Sequence, residues 1–107
     1  IVFGYNMELL VASISADCKQ SIYNHTFRNY KTDKQIEESV DVIENYISAN
    51  RSLKRAAENT FMHENTVQQR LTKIHELTGY NPREAKDLSL LHAVTLLHRS
   101  GTRRTDA

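Results

Sequence analysis

Asn65 and Gln69, two carboxamide side chains four residues apart, are the most informative polar groups of the 107-residue sequence. Four residues span about one turn of an α-helix, so a helix through this stretch places both amides on one face. A carboxamide carries a donor beside an acceptor, which matches the edge of an adenine in the major groove of DNA. The chemistry available to these residues is therefore recognition of a base edge. The alternative is an ordinary solvated helix face.

The opposite side of that helix is apolar, and this fixes which polar groups face outward. Apolar residues recur at the spacing of a single helical face, at Val67, Leu71 and Ile74. This pattern is typical of a helix packed on a core. We therefore predict a recognition helix over about 63–77 whose polar side reads bases in the major groove. The predicted base-reading residues are Asn65, Gln69, Thr72 and Lys73.

Basic and hydroxyl side chains surround this polar side. Thr66 and Arg70 flank it on the same helix, and a second basic group precedes it at 51–55. Contacts from such side chains to phosphate oxygens set affinity and register without reading sequence. The predicted phosphate-contacting residues are Arg51, Lys54, Arg55, Thr66 and Arg70. The alternative for the group at 51–55 is simple solvation. Arg83, just after Pro82, is a further and weaker candidate for such a contact.

A helix-turn-helix is the unit that would position these side chains. Ser52 can cap a short helix in which Ala56 and Ala57 allow another helix to approach closely. Phe61–Met62 then interrupts the pattern, and His63 can cap a second, longer helix. In this unit the first helix crosses the DNA backbone and the second lies in the major groove.

Four further helices complete the predicted fold, which is an all-α domain of about six helices. Their predicted starts are Asn6, Ser15 or Asp17, Thr32 in a capping box with Gln35, and Asp87. Residues 1–5 are expected to form a strand remnant or a tail. We divide the chain into a helical support region or linker of a longer protein at 1–31, a helix-turn-helix domain at 32–99 and a disordered tail at 100–107.

Charge is divided unevenly along the chain, although the net charge is +1. Residues 1–50 hold 4 basic and 7 acidic side chains, whereas residues 51–107 hold 10 basic and 6 acidic ones. A support region followed by a segment that faces nucleic acid would show this division. Double-stranded DNA is therefore the predicted partner.

Several other classes of protein are excluded. No apolar run approaches the roughly 20 residues that cross a membrane, and Cys18, which is the sole cysteine, is consistent with a reducing cytoplasm. His63-Glu64 and His75-Glu76 lack the second histidine of the zinc motif H-E-x-x-H. No glycine-rich phosphate loop is present. We predict a cytoplasmic protein with no enzyme activity, metal or cofactor.

Residues 30–99 resemble the C-terminal helix-turn-helix domain of the PucR/CdaR-type regulators of purine and sugar-diacid metabolism. The resemblance depends on five motifs that occur in the order of the family pattern and precede a Leu-rich helix: Glu44–Ile47, Ser52–Ala57, His63–Leu71 with its H-x-N-T motif, Lys73–Gly79 ending in Leu-Thr-Gly, and Asn81–Arg83. It implies a bacterial transcriptional regulator with a DNA-reading unit like that of Fis. It also implies a sensory domain upstream and binding to DNA as a homodimer.

Three surface positions depart from the pattern of that family. Glu64 stands where arginine is common, and Gln68 and Gln69 stand where arginine and an aromatic residue are common. These changes remove positive charge where the helix would meet phosphates. The alternative function is therefore a helical protein-interaction or dimerisation module with a degenerate helix-turn-helix that no longer binds DNA.

Overall fold

Six α-helices build the part of the chain that the computed structural model describes, which is the backbone of residues 3–105 and the side chains of residues 7–105. In chain order they are α1 (Phe3–Ala12), α2 (Ala16–Thr26), α3 (Asp33–Ser48), α4 (Leu53–Thr60), α5 (Glu64–Thr78) and α6 (Ala85–Arg99). No strand occurs between residues 3 and 105. The prediction of an all-α domain of about six helices is confirmed.

Three of the predicted helix caps are present. The side-chain oxygens of Ser15, Thr32 and Ser52 each accept a hydrogen bond at 3.2 Å from the backbone N–H three residues later. Each bond satisfies an amide that has no partner within its own helix. The capping box at Thr32 is modified, because Gln35 Oε1 accepts from the N–H of Lys31 at 2.8 Å. These local interactions fix where α2, α3 and α4 begin.

Other helix starts differ from the predictions. Helix α6 begins at Ala85, and Asp87 does not cap it, because its carboxylate accepts from the N–H of Asn81 at 2.9 Å and closes the preceding loop. His63 occupies the position before α5, but its side chain makes no capping hydrogen bond. Helix α1 begins at Phe3, ahead of the predicted start at Asn6. Residues 1 and 2 of the expected strand remnant or tail lie outside the described residues.

The core consists of two clusters of buried side chains, and α3 and α6 contribute to both. The first lies beneath α4 and α5, where Ala56 and Ala57 are buried together with Val67 and Leu71. The second joins α1 and α2 to the start of α3 and the end of α6. Because α3 and α6 run through both clusters, the N-terminal helices share a scaffold with the helix-turn-helix. The division at residue 31 stays a prediction.

The C-terminal segment lies against α2 and the turn that follows it. The guanidinium of Arg104 donates hydrogen bonds to the carbonyls of Phe27 and Tyr30, and Asn24 bonds to Thr105. The sequence predicts disorder at 100–107 because apolar periodicity is absent there. Hydrogen bonds from arginine need no such periodicity, so the pattern does not reveal these contacts. Residues 106 and 107 lie outside the described part.

Candidate nucleic-acid interface

A left-handed residue separates α4 from α5. Phe61 has φ 56° and ψ 36°, and this conformation ends α4 and redirects the chain. The N–H of Met62 then donates to the carbonyl of Ala57 at 3.0 Å, which closes the turn. The side chain of Phe61 is 97% exposed. The two helices are therefore separate elements joined by a tight turn, and residues 52–77 do not form one continuous rod.

Helix α5 has one buried and one exposed side. Val67, Leu71 and Ile74 are buried in the first core cluster. The predicted base-reading side chains are all exposed: Asn65, Gln69, Thr72 and Lys73. The structure thus places these four side chains on the solvent-facing part of α5, away from the core.

Between α3 and α5 lies an open groove of about 340 Å³. Its α5 wall carries four of the predicted DNA-contacting residues: Thr66, Gln69, Arg70 and Lys73. Gln35 and Glu38 stand on the α3 wall, and the Glu38 carboxylate lies 3.9 Å from the Arg70 guanidinium. Both side chains of this pair are about half exposed, so the ion pair contributes little stability. Glu38 was missed from the sequence because it reaches this site from a different helix.

The other predicted phosphate contacts lie on α4 and in the turn before it. Arg51, Lys54 and Arg55 are exposed. Asn50 and Arg51 both have positive φ, 55° and 65°, and the N–H of Arg51 donates to the carbonyl of Tyr46 at 2.9 Å. This turn directs Arg51 towards the loop after α5, where its Nη2 donates to the carbonyl of Arg83 at 3.0 Å. The structure therefore separates Arg51 from Thr66 and Arg70, which border the α3–α5 groove.

Most of the acidic surface of α3 is paired with α6 and not with α5. Arg99 donates hydrogen bonds to the carboxylates of Glu37, Asp41 and Glu44 over 2.6–3.2 Å. His98 Nε2 lies 2.7 Å from Glu37 Oε1. These hydrogen bonds from His98 and Arg99 lower the pKa of Glu37 to about 2. Three of the seven acids in the first half of the chain thus attach α6 to α3.

Neither a metal centre nor a membrane span is found in the described chain. Residues 3–105 contain no group of three potential metal-ligating side chains. None of their helices combines the length and the apolarity needed to cross a bilayer.

A protein-family model matches the part of the chain that contains the helix-turn-helix. The model of the family described as the PucR C-terminal helix-turn-helix domain matches residues 40–97, which is more than half of the 107 residues. The matched segment contains α4 and α5 entire, together with the end of α3 and nearly all of α6. No curated protein and no solved structure matches the chain.

Proposed function

The chain belongs to the family of PucR C-terminal helix-turn-helix domains, and from this premise we propose that it is the sequence-specific DNA-binding domain of a bacterial transcriptional regulator. One observation carries the proposal. Asn65 and Gln69 are exposed on α5, whereas Val67 and Leu71 of the same helix are buried against α4. The turn at Phe61 therefore holds an amide-bearing helix face outward in the manner of a recognition helix.

The proposed mechanism is equilibrium binding without catalysis or a cofactor. Helix α5 enters the major groove, which at about 12 Å admits an α-helix. The amides of Asn65 and Gln69 pair with base edges, and Thr72 and Lys73 extend the reading surface. Phosphate contacts supply affinity that is independent of sequence and falls with salt. The phosphate-contacting side chains in this proposal are Arg51, Lys54, Arg55, Thr66 and Arg70.

Dimerisation is part of the proposal, because one small module usually binds DNA weakly and two copies can read a near-palindromic site. Leu9 and Leu10 of α1 are 54% and 60% exposed, and two large apolar side chains side by side on the surface support α1 as the contact between copies. A sensory domain upstream would change the geometry of this dimer. A protein that binds chromosomal DNA in a bacterium is proposed to act in the cytoplasm.

The experiment begins with selection of preferred sites from a pool of random double-stranded DNA. Fluorescence anisotropy then measures affinity for a selected and an unrelated duplex between about 50 and 200 mM salt. We expect the double variant Asn65→Ala/Gln69→Ala to lose most of the preference for the selected duplex at unchanged thermal stability, since neither side chain is buried. Asn45→Ala is the matched control, because this amide bonds to Asp41 within α3. Equal preference in both variants would place the reading surface elsewhere.

A protein-interaction module without DNA binding is the second candidate function. It is favoured by the carboxylates that border the reading surface, Glu38 across the groove and Glu64 at the start of α5, because both repel phosphates. Absence of binding to any duplex at about 50 mM salt by a folded dimer would select this candidate.

A further inference from the structure

Two arginines from separate loops meet at one edge of α5. Arg51 lies in the turn before α4, and Arg83 lies in the loop between α5 and α6, 32 residues later. The Nη2 of Arg51 donates to the backbone carbonyl of Arg83 at 3.0 Å. The Nη2 of Arg83 donates in turn to the carbonyl of Gln68 at 3.1 Å and to Thr72 Oγ1 at 3.3 Å. A chain of hydrogen bonds therefore links both loops to the middle of the recognition helix.

The backbone that carries Arg83 is itself held in place. Gly79 ends α5 in a left-handed conformation with φ 83°, and Pro82 is buried. The N–H of Arg83 donates to Asn81 Oδ1 at 3.0 Å, and the N–H of Asn81 donates to the carboxylate of Asp87 at 2.9 Å. The guanidinium of Arg83 thus starts from a fixed loop, so less conformational entropy is lost when it binds a ligand.

Helix geometry places this contact beside the reading surface. Gln68 and Thr72 are four residues apart and form one exposed edge of α5, whereas Arg70 and Lys73 lie on the other edge towards α3. Cationic side chains therefore flank the exposed amides on both sides. Two phosphate backbones border the major groove, about 12 Å apart, and this arrangement provides a cation for each of them.

We propose that Arg83 contacts a DNA phosphate and positions Thr72, with Arg51 as its support. This inference rests on the proposed function. A guanidinium has five N–H donors, and Arg83 directs those of Nη2 to α5. The donors on Nε and Nη1, which make no hydrogen bond within residues 7–105, suit a phosphate oxygen. The same bonds hold the Thr72 side chain, so Arg83 affects both affinity and base preference.

The variant Arg83→Gln tests the phosphate contact. Fluorescence anisotropy measures its affinity for a selected and an unrelated duplex between about 50 and 200 mM salt. We expect about threefold to tenfold weaker binding to both duplexes and a salt slope smaller by about one. Lys86→Gln is the control, because it removes one exposed positive charge at the start of α6. It should stay within about twofold of the parent protein at an unchanged slope.

Arg83→Lys separates positioning from charge. Lysine keeps the positive charge but lacks the planar fork that bridges Gln68 and Thr72, so the salt slope should be retained while preference at the base pair nearest Thr72 weakens. Arg51→Ala leaves Arg83 unsupported, so it should weaken preference at the base pair nearest Thr72 as Arg83→Lys does. Loss of the phosphate contact proposed for Arg51 itself would lower affinity for both duplexes without changing that preference.

The outcomes separate this inference from the function on which it rests. Parent protein that binds no duplex would overturn both. If the parent protein binds DNA, and a folded Arg83→Gln variant binds with equal affinity and an equal salt slope, only the role of Arg83 is overturned. If Arg83→Gln melts below the assay temperature, unchanged base preference in both Arg83→Lys and Arg51→Ala would overturn it instead.

Discussion

At the scale of single residues, Phe61 occupies a backbone conformation that favours glycine. A left-handed conformation costs a side-chain-bearing residue about 1–2 kcal/mol, and the fully exposed ring recovers no packing energy in return. We expect Phe61→Gly to raise the free energy of unfolding by about 1 kcal/mol after the larger backbone entropy of glycine in the unfolded chain is included. Thermal unfolding should show a midpoint higher by about 4–8 °C.

Phe61→Ala is the control for that substitution, because alanine removes the ring but keeps the Cβ that makes positive φ unfavourable. Its midpoint should stay close to that of the parent protein. If alanine stabilised the protein as much as glycine, the exposed ring and not the backbone would be the source of the effect.

Glu38 is the residue whose negative charge opposes the proposed function most directly. It lies across the groove from Gln69 and Lys73 and 3.9 Å from the guanidinium of Arg70, where it repels phosphate and competes for that guanidinium. We expect Glu38→Gln to tighten binding to any duplex by about threefold at low salt, with the gain reduced at high salt by screening. Anisotropy titrations at two salt concentrations measure both effects.

Asp17→Asn changes the net charge equally from an exposed position on α2 and serves as the control for Glu38→Gln. An equal gain in both variants would assign the effect to net charge and not to the groove between α3 and α5.

At the scale of elements, ionised Glu37 contributes to the attachment of α6 to α3. The hydrogen bonds from His98 and Arg99 lower its pKa from 4.5 to about 2, so its stabilising contribution is complete above pH 4.5 and is lost as the pH falls towards 2. Glutamine at this position does not titrate. We expect the thermal midpoint of Glu37→Gln to be lower at neutral pH and to fall less steeply below about pH 4.5. Thermal unfolding at several pH values through this window measures the slope.

Glu58→Gln is the control for the pH measurement, since the Glu58 carboxylate on α4 is exposed and makes no ion pair within the described residues. It should retain the slope of the parent protein. Parallel curves for Glu37→Gln and the parent protein would show that Glu37 does not account for the acid sensitivity.

The difference between contacts within one element and contacts between elements explains which features can be predicted from the sequence. The caps at Ser15, Thr32 and Ser52 involve partners three residues away, and the exposed face of α5 follows from a 3.6-residue period. Each is encoded within one element. Glu38 reaches the candidate site from α3 through a contact that no local pattern contains. The sequence indicates Arg83 only as a weak candidate for phosphate contact, and its bonds to Gln68 and Thr72 appear only in the folded chain. Periodicity therefore predicts the helices and the exposed face of α5, whereas the charges around that face depend on how the helices pack together.

At the scale of the whole molecule, the segment after α6 is connected by hydrogen bonds to α2 and to the turn that follows it. Gln20 donates to the carbonyl of Arg103 at 2.7 Å, and Asn24 bonds twice to Thr105 at 2.9 and 3.1 Å. Arg104 adds bonds to the carbonyls of Phe27 and Tyr30. These contacts join positions 74–83 residues apart. The segment therefore fastens α2 onto the scaffold formed by α3 and α6.

A chain that ends at Gly101 loses all of these contacts and leaves the helix-turn-helix unchanged. Each hydrogen bond contributes about 0.5–1.5 kcal/mol, and the segment makes none with α4 or α5 within residues 7–105. We expect the amides of α2 to exchange with solvent at least about tenfold faster, which corresponds to 1.4 kcal/mol of local stability, while the amides of α5 keep their protection. Residue-resolved hydrogen exchange measures both helices in one experiment.

A chain that ends at Thr105 retains every described contact and should match the full chain. Unchanged exchange in α2 would show that the segment does not fasten it, and equal acceleration in α2 and α5 would show that the two helices open together.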